Sequence, residues 1–151
     1  MNLNPEILSE LEKIVGPSYL FTDEATRRNY GQDETEDLSF PPQVVVKPAN
    51  TEEVAQILKI SNTYKIPTVP IGARTGLSGG ALSIYGGIGI SMERFNKIIE
   101  IDEQNLQVTT EPGVITQVLR EAVAEKGLLY PVDPSSMGSC WIGGNIAENS
   151  G

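Results

Sequence analysis

The stretch "PTVPIGARTGLSGGALS", Pro67 to Ser83, decides how the rest of the chain is read. Its opening "TVPI", Thr68 to Ile71, has the apolar, β-branched texture of a short strand. That strand runs into Gly72, Gly76, Gly79 and Gly80, punctuated by Arg74, Thr75 and Ser78. Backbone without side chains lets several N–H groups converge on one anion at short range, so the loop is a candidate phosphate cradle. Thr75 and Ser78 add hydroxyl donors, and Arg74 adds a positive charge. Two familiar phosphate-binding patterns do not fit. A P-loop places Lys-Ser or Lys-Thr after its last glycine, whereas Gly80 is followed by Ala81 and Leu82. The dinucleotide pattern G-x-G-x-x-G opens a helix, whereas "GARTGLSGG" has other intervals and leads into "ALSIYGG", which lacks a helical texture. Taken alone, such a segment is more often a simple turn.

Outward from the loop, helices and strands mix. Upstream, "QVVVKP" is a β-branched run bounded by prolines, as a buried strand should be. "ANTEEVAQILKISNTYKIP" predicts a helix with Thr51 as N-cap, Glu52 and Glu53 in the first turn, and Val54, Ile57, Leu58 and Ser61 on one face. Strand, helix and strand with short links make a βαβ-like unit. Downstream, "GGIGISM" reads as a strand, and "KIIEID" and "LQVTTEPG" as two more around the turn "EQN". "VITQVLREAVAEKG" predicts a helix with Ile115, Val118, Leu119, Ala122 and Val123 as its apolar stripe and Gly127 as its C-cap. At the start, "NPEILSELEKIVG" predicts a short amphipathic helix with Asn4 as N-cap, Pro5 in the first position and Gly16 as the stop. From Thr22 to Pro42 the chain is polar, with the acidic run "DETED", and is expected to be an irregular, solvated connection. The predicted fold class is α+β, with residues 1–41 as an N-terminal helix plus acidic connection and residues 42–151 as the main domain.

Composition narrows the function. The formal net charge of −9, from 20 acidic and 11 basic residues, excludes the positive footprint that phosphate-rich nucleic acids require. No apolar window is long enough to span a membrane, and no basic-then-apolar leader opens the chain, so the expected location is cytoplasmic. The single cysteine, Cys140, forbids an internal disulfide and fits a reducing compartment. There is no histidine at all, which removes Ser-His and Cys-His nucleophile pairs and histidine metal sites. No metal-ligand set and no catalytic residue is identified.

A second glycine-rich segment, "DPSSMGSCWIGGNIAENSG", carries Gly138, Gly143, Gly144 and Gly151 among Ser135, Ser136, Ser139, Asn145 and Asn149. It too is expected to be a loop offering amides and small polar groups. Two such loops predict a ligand with one phosphorylated end and one flat, amide-like end. Together with "PIGARTGLSGGA", "PANTEEVAQILKISNTYKIP" and the turn "EPGV", this segment resembles the FAD-binding domain of the vanillyl-alcohol oxidase (PCMH) type. Within that superfamily the chain is most similar to the glycolate oxidase D-subunit and D-lactate dehydrogenase branch.

The resemblance runs from about Pro42 onward and implies an FAD held between two halves of the domain. It assigns the pyrophosphate to the loop Ile71, Gly72, Ala73, Arg74, Thr75, Gly76, Leu77, Gly79 and Gly80. Pro112 falls near the adenine end. The flavin and ribityl side falls to Pro134, Ser135, Met137, Gly138, Ser139, Gly143, Gly144, Asn145, Ala147 and Asn149. Related loops often carry arginine where Ile71 stands, so Arg74 is expected to supply a phosphate contact from a shifted position. Covalent attachment in this superfamily uses histidine, so here FAD is expected to be non-covalent. Cys140 is read as a packing residue in preference to a cofactor contact, and Trp141 as a core residue in preference to a cover for the flavin. The implied reaction is oxidation of a D-2-hydroxy acid, glycolate or D-lactate, to the 2-oxo acid, with an electron-acceptor partner or iron–sulfur subunit and a homo-oligomer as further expectations. Members of the family are much longer, so this chain is expected to be an inactive N-terminal portion. The alternative is a truncated, non-catalytic module that folds without stable FAD binding.

Overall fold

The computed structural model describes residues 3–150. Helix α1 (Pro5–Val15) starts as its sequence dictates, with Asn4 Oδ1 accepting the Glu6 N–H at 3.1 Å and Pro5 in the first turn. Its buried side chains Ile7, Leu11 and Val15 share one core cluster with Val44, Val46, Ile57, Ile88 and Ile90. A single 3-10 turn (Pro17–Tyr19) leads into the short strand β1 (Leu20–Phe21).

The segment expected to be irregular contains helix α2 (Glu24–Tyr30). Asp23 starts it, its carboxylate accepting the Thr26 N–H at 2.8 Å. This short helix buries only Tyr30, so it leaves no apolar period to read.

Strands β2 (Val44–Val46), β3 (Thr68–Ile71) and β4 (Ile88–Ser91) join β1 in one sheet of order β1-β2-β4-β3. β1 runs antiparallel to β2, whereas β2 and β3 both run parallel to β4, with Ile88 opposite Val44 on one side and Thr68 on the other. Every residue of β2 and β4 is buried: β2 reads as an unbroken apolar run, whereas β4 alternates isoleucine with Gly89 and the buried polar Ser91. The βαβ-like unit therefore exists with a gap, and β4 fills the place between its two strands.

The crossover helix α3 (Thr51–Tyr64) is capped by Asn50, one residue before the expected Thr51. Asn50 Oδ1 accepts the Glu53 N–H at 2.9 Å, and the Glu53 carboxylate reaches back to the Ala49 N–H at 2.7 Å. Only Ile57 of the predicted face is fully buried; Leu58 is 46% exposed.

The second half is built on a separate antiparallel ribbon, β5 (Ile98–Asp102) and β6 (Gln107–Thr110), with the predicted turn between them. Helix α4 (Thr116–Ala124) packs on it through a cluster of Val114, Leu119, Val123 and Ile142, with Ile98, Ile101 and Val108 against it. The buried stripe is Thr116, Leu119 and Val123, and the expected Val118 is 48% exposed. The C-cap is Glu125 rather than the expected Gly127, which at φ +71° closes the turn that follows: its N–H meets the Ala124 carbonyl at 2.9 Å and the Leu128 N–H meets the Val123 carbonyl at 3.0 Å.

The second glycine segment is corrected from loop to helix over its later half. Helix α5 (Ile142–Glu148) begins with Gly143 and Gly144 in its first turn. Gly143 is demanded by close packing, because a Cβ there would lie 2.6 Å from Pro112 Cβ. The architecture is mixed α and β, as expected. Among the described residues no helix is long and apolar enough to cross a membrane.

Candidate functional site

The glycine loop leaves the C-terminal end of β3, where a parallel sheet offers room for a ligand, and faces α5 across a cleft of about 200 Å³. Gly72, Ala73, Arg74, Thr75, Gly76 and Gly80 line it from the loop, and Gly144, Asn145 and Ala147 line it from α5. Ser78 and Ser136 also border it. A Cβ on Gly76 or Gly144 would meet no other residue within 4 Å, so bare backbone borders open space at both walls.

From Ala73 to Ala81 no backbone N–H donates a hydrogen bond to another described residue. Residues 73–81 are half-buried or exposed, so these amides are open to solvent or to a ligand in the cleft.

Charge complicates that picture. Arg74 has φ +61°, and its guanidinium stacks over the Tyr30 ring at 4.8 Å and donates to the Asn29 carbonyl and to Asn29 Oδ1. The expected phosphate-binding charge is thus engaged with the end of α2. Two carboxylates the sequence reading did not place here, Asp33 and Glu148, border the cleft instead. The Ser78 hydroxyl donates to Glu148 Oε2 at 2.8 Å, and Glu148 Oε1 lies 2.8 Å from where a Cβ on Gly80 would stand. The acidic run expected to be solvated is also stitched to the loop, through the Glu34 N–H and the Gly76 carbonyl at 3.1 Å. No local pattern announces Asp33 or Glu148, since only the tertiary fold brings either to Gly76 or Gly80.

Under the loop, Tyr30 also hydrogen-bonds Glu93, whose other oxygen pairs with Lys47 at 2.7 Å. Desolvation disfavours both charges, but the mutual hydrogen bond prevails, holding the Glu93 carboxyl below and the Lys47 amine above their ordinary ranges. Burial, then the bond to Glu93, pushes the Tyr30 hydroxyl up.

Trp141, expected in the core, is half-buried in the cleft wall, its ring 3.9 Å from where a Gly72 Cβ would begin. Cys140 is buried, as packing requires. The other residues singled out from sequence lie outside the cleft lining. Ile71 is wholly buried with Val45 and Tyr30, Leu77 is exposed, and Gly79 accepts the Leu82 N–H in a turn. Pro112 and Gly143 brace each other, with the Gly143 N–H on the Pro112 carbonyl at 2.8 Å. The Pro134 carbonyl accepts the Met137 N–H, Ser135 sits in that turn, and the Ser139 hydroxyl donates to Ser136. Met137 Sδ accepts from Arg120, Gly138 abuts Gln117, and Asn149 ends α5 at φ +52°. Gly151 lies outside the described residues.

A glycine-bared, amide-rich loop at the carboxyl end of a parallel sheet, closed by a facing helix, defines a domain for a phosphate-bearing cofactor. Residues 42–151 match the family model described as FAD binding domain, and the chain belongs to that family. It is 42% identical to glycolate oxidase subunit GlcD of Bacillus subtilis (strain 168) over 99% of this chain and 32% of that protein. It is 38% identical to D-2-hydroxyglutarate dehydrogenase of Stutzerimonas stutzeri (strain A1501) over 98% of this chain and 32% of that protein. The chain therefore spans about a third of the length of these relatives. Among solved structures, 4-ethylphenol oxidase from Gulosibacter chungangensis superposes with a TM-score of 0.83 at 30% identity, covering 96% of this chain and 29% of that one.

Proposed function

We propose that this chain is the FAD-binding portion of a flavin-dependent oxidoreductase that converts a D-2-hydroxy acid, glycolate or D-lactate, to the 2-oxo acid. The observation that carries this reading is the run of unpartnered amides from Ala73 to Ala81 beside the cleft. Those amides, with Thr75 and Ser78, hold the pyrophosphate. Asn145, Ala147 and Trp141 border the flavin and ribityl side. The relatives' names, an oxidase subunit for glycolate and a dehydrogenase for D-2-hydroxyglutarate, favour the 2-hydroxy acid class. When bound, FAD supplies the two-electron acceptor, and the protein's share is binding, orientation and electrostatics. With no histidine in the chain, none of its own residues offers FAD a histidyl link, and we read its hold on FAD as non-covalent. We read the setting as cytoplasmic, with an electron-acceptor partner.

The test is a visible absorbance spectrum of the purified chain after incubation with FAD and desalting. A retained flavin band is the expected result. A colourless protein would favour the second reading, a folded module without stable FAD binding. The cleft volume of about 200 Å³ lends weight to that second reading, because ligand pockets usually span about 300–1,000 Å³.

A further inference from the structure

We infer that Thr116 is a positioning residue: it holds the Asn145 side-chain amide with its nitrogen turned into the core, leaving the amide oxygen to face the cleft as an acceptor for an N–H or O–H group of the bound cofactor. The inference rests on the reading of the cleft as the FAD site. Thr116 is fully buried at the start of α4, and Asn145, 5% exposed, sits on α5 at the cleft. Asn145 Nδ2 donates to Thr116 Oγ1 at 2.6 Å. Thr116 Oγ1 lies 3.3 Å from the Cys140 carbonyl oxygen and 3.2 Å from Cys140 Sγ.

With the Asn145 nitrogen turned toward it, Thr116 Oγ1 accepts from the amide, and its own single proton is left for the Cys140 carbonyl, which also accepts the Thr116 N–H at 3.0 Å, or for Cys140 Sγ. An amide that donates inward keeps its oxygen on the other side. That oxygen has no hydrogen-bond partner among the described residues. The chain thereby presents a neutral acceptor beside the donor-rich glycine loop, so the two walls of the cleft recognise different ends of one ligand. An apolar residue at 116 would serve packing equally well, yet would strand a buried Asn145 donor and free the amide to turn.

The experiment compares the wild-type chain with Thr116→Val, which keeps the shape, and Thr116→Ser, which keeps the hydroxyl. Two readouts are taken: exchange of the Asn145 side-chain amide protons with water by NMR without ligand, and the dissociation constant for FAD by fluorescence titration. Slow exchange in the wild type and Thr116→Ser, and fast exchange in Thr116→Val, is the expected pattern. FAD binding should weaken about five- to tenfold in Thr116→Val and stay within about twofold in Thr116→Ser, as loss of one buried hydrogen bond implies. Unchanged exchange and affinity in Thr116→Val, or equal loss in both variants, would overturn the inference and return Thr116 to core packing. If the wild type takes up no FAD while the exchange pattern holds, the cofactor reading fails and the Thr116–Asn145 link stands.

Discussion

Glu148 runs against the proposed pyrophosphate site: its carboxylate, beside the open loop amides, takes the Ser78 hydroxyl. At about 4 Å in water two like charges repel by about 1 kcal/mol, so an incoming pyrophosphate must displace or tolerate it. Glu148→Gln should therefore tighten ADP binding about threefold to fivefold at low salt, with less gain at high salt, where surface charges are screened. Calorimetric titration at two salt concentrations checks this, and equal affinities would remove Glu148 from the site. Arg74 tells the opposite story. Its charge is spread over Tyr30 and Asn29, so it shapes the loop from behind. Arg74→Ala should lower unfolding stability by about 0.5–1 kcal/mol through loss of the cation–π stack, and weaken FAD binding by letting the loop drift. Arg74→Lys should restore neither fully, because an ammonium lacks the planar face and fork of a guanidinium. Full recovery with lysine would mean that charge alone matters.

At the scale of elements, the way each helix starts decides how much of it the sequence discloses. Asn4 with Pro5 was readable, and the cap forms there; at α3 the cap moved from Thr51 to Asn50 because only the latter's side chain reaches the Glu53 N–H. Asn50→Ala should then cost about 1 kcal/mol by urea unfolding, while Thr51→Ala should cost well under that. Equal costs would return the cap to Thr51. Strand β2 was legible because burial on both faces forces an uninterrupted apolar run, β4 because its two isoleucines stand among glycines, and β5 and β6 because a polar turn separates them. Helices α2 and α5 were not. α2 has one buried residue, and α5 opens with two glycines that disfavour a helix on propensity; Gly143 is kept by contact with Pro112, which the sequence cannot display. The candidate site divides the same way. Its glycines announced themselves by composition, whereas Asp33, Glu148 and the cleft-facing Trp141 reach it only through the packing of distant segments.

On the scale of the whole molecule, Tyr30, Glu93 and Lys47 join α2 to the chain just beyond β2 and β4, beneath the glycine loop. Their titration should appear in the stability of the entire fold. The folded Glu93 carboxyl lies below its ordinary value of 4.5, so its contribution is present above that pH and is lost as pH falls through the folded value. Lys47 and Tyr30 lie above their ordinary values of 10.5 and 10.0, so their contributions are present below those and are lost as pH rises through the raised ones. Asp23 and Asp102 are also lowered, each chiefly by hydrogen bonds from nearby residues, and add to the acid limb. The Glu93 share is therefore read as a difference. Urea midpoints of the wild type and Glu93→Gln, measured from pH 7 down through the carboxylate range, should converge as the wild-type carboxylate takes up its proton, because a neutral acid and a neutral amide bond Lys47 and Tyr30 alike. A gap that stays constant across the acid limb would mean that Glu93 contributes shape rather than charge.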